Sequence, residues 1–175
     1  MKIKSNPITN TSDILKFRAT QLARKKEPET HDSNLVQVLV FRLVHETYGI
    51  ELEHIRAVYP LKEMTFIPGA PDFIPGIINV RGEIISIVDF KKIFDLPMGE
   101  PSRHIQVIIL HSKEIEFGIQ TDQVLGVKEI PESDIQPSLP TLTGIRLQYL
   151  KGVTGDGMVI LDGKKILSDK TMLIQ

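Results

Sequence analysis

Three prolines and three glycines fall within residues 67–82, and a β-branched run closed by an aspartate follows at once: IPGAPDFIPGIINVRGEIISIVDF, Ile67 to Phe90. Pro68, Pro71 and Pro75 have no backbone N–H to give to a ladder, so Ile67–Gly76 is expected to be a rigid, turning loop. Ile77–Val80 then reads as a buried strand, Arg81–Gly82 as a tight turn and Glu83–Val88 as the returning strand. This puts one cation, Arg81, at the tip of an apolar hairpin with no nucleophile, base or metal ligand converging on it. Such a tip suits a docking surface better than an active site.

The chain from Leu35 onward reads as short strands. Leu35–Val44 is mostly apolar, with Gln37 and Arg42 as outward candidates; His45-Glu46-Thr47 marks a turn and Tyr48–Glu53 alternates back. Ile55, Val58 and Leu61 continue the apolar pattern toward the proline loop. A short helical turn at Phe90–Phe94 precedes a second group of strands at Ile105–Leu110, Ile115–Thr121, Val124–Ile130, Leu150–Val153, Met158–Leu161 and Lys165–Leu167. Gly155-Asp156-Gly157 and Asp162-Gly163 read as hairpin turns. Asp89 and Asp122 end strands, where a carboxylate caps a turn or the following helix. Many short strands with frequent turn signals predict small barrels or a sandwich, and periodicity does not choose between them.

Charge is unevenly spread along the 175 residues. Residues 1–33 carry seven Lys/Arg against four Asp/Glu, and the remainder carries fourteen against eighteen. An acidic body makes a poor general binder of phosphate backbones, and with no Trp and three Tyr it offers few stacking platforms. Nucleic acid is therefore not an expected partner. No cysteine is present, which removes disulfides, thiolate metal sites and Cys nucleophiles together. No apolar run approaches the ~20 residues of a membrane-spanning helix, and the polar Met1–Thr11 has no signal-peptide core. A cytoplasmic protein without membrane insertion is the simplest reading.

In the N-terminal segment, Ser12 or Asp13 is placed to cap a helix running to about Lys26, ended by Glu27-Pro28. Leu15, Ala19, Leu22 and Ala23 share one side, while Lys16, Arg18, Arg24, Lys25 and Lys26 supply the charge. A helix of ~14 residues is marginal alone. The protein's own body, another protein and an anionic membrane surface all remain possible supports. His31–Asn34 reads as a linker.

Other apparent motifs dissolve. Gly157–Lys164 lacks both the glycine spacing and the Ser/Thr of a phosphate loop and reads as a hairpin. Asn10-Thr11-Ser12 fits a glycosylation sequon, but without a signal peptide it does not meet the machinery. His31, His45, His54, His104 and His111 never adopt a paired metal-ligand spacing, so no metal site is expected.

The string PGAPDFIPGIINVRGEIISIVDF closely resembles the signature of the CheW-like coupling proteins of bacterial chemotaxis. There a proline-flanked apolar loop leads into an Asn-x-Arg-Gly turn and an Ile/Val-rich strand closed by Asp. Upstream, Phe41-x-Leu43 and Tyr48-Gly49-Ile50 fit the family's opening hairpin. Downstream, Phe117-Gly118-Ile119, Asp122-x-Val124, Tyr149-Leu150-Lys151-Gly152-Val153 and Met158–Asp162 fit its second half in order. The resemblance covers roughly residues 35–175, and residues 1–33 form an extension outside it.

The resemblance implies a mainly β fold: two small five-stranded SH3-like barrels side by side within residues 34–175. The lobes would divide near 91–103, with the first strand and the chain's end tying them together. It also implies a non-catalytic adaptor without cofactor, which joins a methyl-accepting chemoreceptor's cytoplasmic tip to the regulatory domain of a CheA-type histidine kinase. Such a protein is cytoplasmic and recruited to membrane receptor arrays. The receptor-contact residues carried over are Ile55, Val58, Arg81 and Gly82. Between Ile55 and Val58 the family offers an acidic residue where this chain has Ala57, which removes one candidate charge contact. Gly76 and Gly152, like Gly82, are expected to allow positive φ or close backbone approach, and so to matter to docking indirectly. Arg81 also has a purely structural reading, as partner to Asp89 or Glu83. A second function class stays open: a ligand sensor or enzyme with its pocket at the junction between lobes.

Overall fold

The computed structural model describes residues 34–97, 99, 102, 104–137 and 145–172. The helix expected up to Lys26 and most of the linker lie outside those residues. Ten strands follow in order: β1 (Leu35–Leu43), β2 (Glu46–Glu51), β3 (Ile55–Pro60), β4 (Gly76–Val80), β5 (Glu83–Val88), β6 (Gln106–His111), β7 (Glu116–Thr121), β8 (Gln123–Pro131), β9 (Leu150–Val153) and β10 (Val159–Leu161). Two short helices, α1 (Phe90–Ile93) and α2 (Gly163–Ser168), follow β5 and β10.

The strands form two five-stranded sheets, ordered β8-β1-β2-β10-β9 and β3-β6-β7-β5-β4. In each sheet the second and third members pair antiparallel, the third and fourth parallel, and the last two antiparallel. One isolated bridge then links the chain beyond the first member to the last: Gln136 to Val153 in one sheet, Thr65 to Ile77 in the other. Each sheet is thereby drawn into a small barrel, which removes most free edge. β5 and β6 belong to the same second sheet, so the division of the lobes expected near 91–103 falls between two strands of one sheet. The first barrel is assembled from both ends of the described residues, β1 and β2 with β8, β9 and β10.

The core explains why the strands read as apolar runs without alternation. Val38 and Val40 of β1 meet Ile130, Met158 and Ile160 inside one barrel. Val107 and Ile109 of β6 meet Ile78, Ile85 and Ile87 inside the other. The intervening residues Leu39, Phe41 and Leu43, and likewise Ile108 and Leu110, face a third and larger cluster shared by both sheets and both helices. β1 and β6 are thus covered on both faces, which demands apolar residues at successive positions. The shared cluster centres on aromatic rings: Phe41 and Phe94 stack on Tyr48 at 5.9 and 5.8 Å, and Phe90 meets Phe94 edge-on at 5.1 Å.

Both helices start the same way. Asp89 Oδ1 accepts a hydrogen bond from the Lys91 amide (3.0 Å), and Asp162 Oδ1 accepts one from the Lys165 amide (3.1 Å). The second cap corrects an expectation. Residues 165–167 do not form a strand and Asp162-Gly163 is not a hairpin turn; Asp162 caps α2, which buries Ile166 and Leu167. Asp122 also behaves as a turn-binding carboxylate, taking the Val44 amide at 2.7 Å and Lys91 Nζ at 2.8 Å.

Candidate docking surface

The β4–β5 hairpin has the predicted two-residue turn. Arg81 and Gly82 adopt φ of +54° and +91°, the left-handed pair that matches the twist of flanking strands. Asn79 Oδ1 accepts the Gly82 amide at 2.9 Å and so closes the turn with a side chain. Arg81 is exposed and, among the described residues, pairs with no carboxylate. Its two expected structural partners are engaged elsewhere: Asp89 caps α1, and Glu83 binds Arg56 Nη1 at 2.7 Å. Among the described residues neither carboxylate expected to pair with Arg81 does so.

Arg56 has a role the sequence reading missed. It stands on β3 between Ile55 and Ala57, and its guanidinium holds Glu83 and also Glu116 Oε1 at 2.5 Å. The hydrogen bonds to Glu116 and then Glu83 raise its pKa above the ordinary arginine value, so it stays charged. The ion pair to Glu83 links a β3 side chain to the residue that follows Gly82. Nothing local in the sequence marked Arg56, because its partner on β7 lies 60 residues away.

Ile55 and Val58 are only half-exposed and pack against the shared core. They shape β3 from beneath as well as offering surface. The exposed apolar groups near the hairpin are different residues: Ile84, opposite Asn79 and 64 % exposed, with Phe66 (70 %) and Met64 (38 %) on the segment that bridges to β4. An open groove of about 590 Å³ runs between the exit of β3 and β4, walled by Tyr59, Leu61, Thr65, Ile77 and Asn79 with Arg81 at its rim. Apolar side chains and the exposed Arg81 guanidinium can recognise a helix or strand presenting apolar and acidic groups.

Gly76 and Gly152 sit at the two closing bridges. A Cβ on Gly76 would come within 2.3 Å of the Thr65 carbonyl oxygen, and one on Gly152 within 2.5 Å of the Gln136 carbonyl oxygen. Both glycines admit close backbone approach, whereas Gly82 supplies positive φ. Close approach and positive φ are thus two different physical reasons for a glycine here.

The family model for the CheW-like domain matches residues 37–171. A chemotaxis protein CheW of Treponema pallidum is 27 % identical over 163 residues, 89 % of this chain and 96 % of that protein. The Klebsiella aerogenes chemotaxis protein CheW is 30 % identical over 141 residues, 79 % of this chain and 85 % of its own. Among solved structures, the scaffolding protein TtCheW from Thermoanaerobacter tengcongensis superposes with a TM-score of 0.65 at 32 % identity, covering 72 % of this chain and 88 % of that one.

Proposed function

The chain belongs to the CheW-like domain family, and on that premise we propose that it is a non-catalytic adaptor. It couples the cytoplasmic tip of a chemoreceptor to the regulatory domain of a CheA-type histidine kinase. The observation that carries this reading is the β4–β5 hairpin, which presents Arg81 exposed and free of acidic partners among the described residues, beside the apolar Ile84 and the β3 groove. The groups there bind and orient; they supply no bond-making pair. Among the described residues no helix is long and apolar enough to cross a membrane. Association with receptor arrays then comes through protein contacts, and the working compartment is the cytoplasm, where receptor tips and kinase lie.

The receptor contact comprises Arg81 and Gly82 at the tip, with Ile55 and Val58 shaping the strand beside it. Titration of the purified chain against a receptor cytoplasmic fragment and a kinase regulatory domain tests the adaptor reading directly, and simultaneous binding of both is expected. Arg81→Ala should weaken receptor binding at least about tenfold while stability moves by no more than about 0.5 kcal/mol, as for other exposed changes. Arg81→Lys should recover only part of the binding, because an ammonium lacks the planar fork. Failure to bind either partner, or full receptor binding by Arg81→Ala, overturns the assignment.

A further inference from the structure

At the entry to β3, one cluster of side chains has chemistry that neither adaptor docking nor packing uses. β2 ends at Glu51, and Leu52–His54 form the 3-10 turn that carries the chain from one sheet to the other. Residues three apart eclipse in such a turn, which sets His54 over Glu51. His54 Nε2 lies 3.6 Å from Glu51 Oε2 and 3.4 Å from Glu53 Oε1. The residue is only 9 % exposed, and Nε2 is buried without a hydrogen-bond partner among the described residues. Buried polar atoms left in that state are costly and uncommon. The imidazole is also confined, because a methyl on Gly163, the first residue of α2, would come within 2.2 Å of His54 Cδ2.

The three donor atoms lie within 4.8 Å of one another. Ligands held ~2.0–2.1 Å from a tetrahedral zinc ion stand about 3.4 Å apart, the edge of that tetrahedron. The separations of 3.4 and 3.6 Å from His54 are close to that edge. The second oxygen of Glu51 accepts from Lys151 Nζ at 2.5 Å, the kind of outer partner that orients a ligating carboxylate. The Glu53 side chain is 65 % exposed, so the cluster has a route to solvent and room for a water ligand.

We propose that Glu51, Glu53 and His54 form a divalent-metal site of the zinc type, completed by water. One imidazole and two carboxylates suit zinc; calcium requires six to eight oxygens, and magnesium a near-ideal octahedron with several waters. Bound there, the ion staples the end of β2 to the residue preceding β3 and braces the crossover between the barrels. The rival is an imidazolium paired with the two carboxylates and no metal.

Equilibrium dialysis of the metal-stripped full-length chain against Zn²⁺, with Co²⁺ as a spectroscopic stand-in, decides between them. Saturable binding that gives a four-coordinate cobalt spectrum is expected, together with a zinc-dependent rise in melting temperature. Glu53→Gln, at an exposed position, and His54→Asn should each weaken this binding at least about tenfold, while His111→Asn should leave it unchanged. Absence of saturable binding, or binding that persists in Glu53→Gln, overturns the proposal. Should His54→Asn fail to fold, Glu53→Gln decides alone.

Discussion

Gly76→Ala is the sharpest test of how the barrels close. The new Cβ would stand 2.3 Å from the Thr65 carbonyl oxygen and 2.9 Å from Met64 Cγ. Carbon and oxygen ordinarily approach no closer than about 3.3 Å, so the bridging segment must retreat by about 1 Å. That retreat strains the two hydrogen bonds of the bridge, Thr65 N–H to Ile77 O at 2.8 Å and Ile77 N–H to Thr65 O at 2.9 Å. Each contributes about 1 kcal/mol, and overpacking adds about 1–3 kcal/mol. The reduced freedom of the unfolded chain returns about 0.4–1 kcal/mol. A net loss of about 2–4 kcal/mol follows, or a fall of about 1–2 M in the urea midpoint if the slope is about 2 kcal/mol/M. Gly152→Ala should behave alike, its Cβ standing 2.5 Å from the Gln136 oxygen. Gly82→Ala, with open space but φ of +91°, should lose only about 1–2 kcal/mol. Gly155→Ala, with neither obstacle, should stay within about 0.5 kcal/mol of the parent. Urea unfolding followed by circular dichroism ranks the four. If Gly76→Ala loses no more than Gly82→Ala, the barrel is not held shut by backbone contact at this glycine.

Three further outcomes follow from the structure. Asp89→Ala and Asp162→Ala should each cost about 0.5–2 kcal/mol by removing the caps on Lys91 and Lys165, measured by the same unfolding assay. Burial first, then the hydrogen bond its hydroxyl donates to Asp169, pushes Tyr149 well above the usual phenol range. Its contribution is therefore complete below the unfolded value of about 10 and is lost as pH rises past it; Tyr149→Phe should flatten the alkaline limb of the stability profile, and an unchanged limb would show that another group controls it. Arg81→Ala combined with Ile84→Asp, both at exposed positions, should abolish receptor binding while kinase affinity stays within about threefold, or ~0.65 kcal/mol. Parallel loss of both affinities in the folded double variant would mean one shared surface.

The features written locally in the sequence are the ones it determined. Three prolines without amides, the Arg81-Gly82 turn and its β-branched flanks specify the hairpin, because turn chemistry acts within four residues. Asp89 was legible as a cap for the same reason. An internal echo was also present: Asp89-Phe-Lys-Lys-Ile-Phe94 recurs as Asp162-Gly-Lys-Lys-Ile-Leu167, and Tyr48-Gly49-Ile50 as Phe117-Gly118-Ile119. Reading the first pair together would have turned residues 163–168 into a helix, since Lys-Ile-Leu alone is too short to show a period of two or of 3.6. Which strands share a barrel was not local at all. β1 pairs with β8 across some ninety residues, Val38 opposite Lys128, a partnership that no local signal announces. Arg56 found Glu83 and Glu116, and His54 came to lie between Glu51, Glu53 and α2, only when chain crossovers brought separate elements together. Side-chain type sets what a residue can bind; the distance at which it meets a partner exists only in the closed structure.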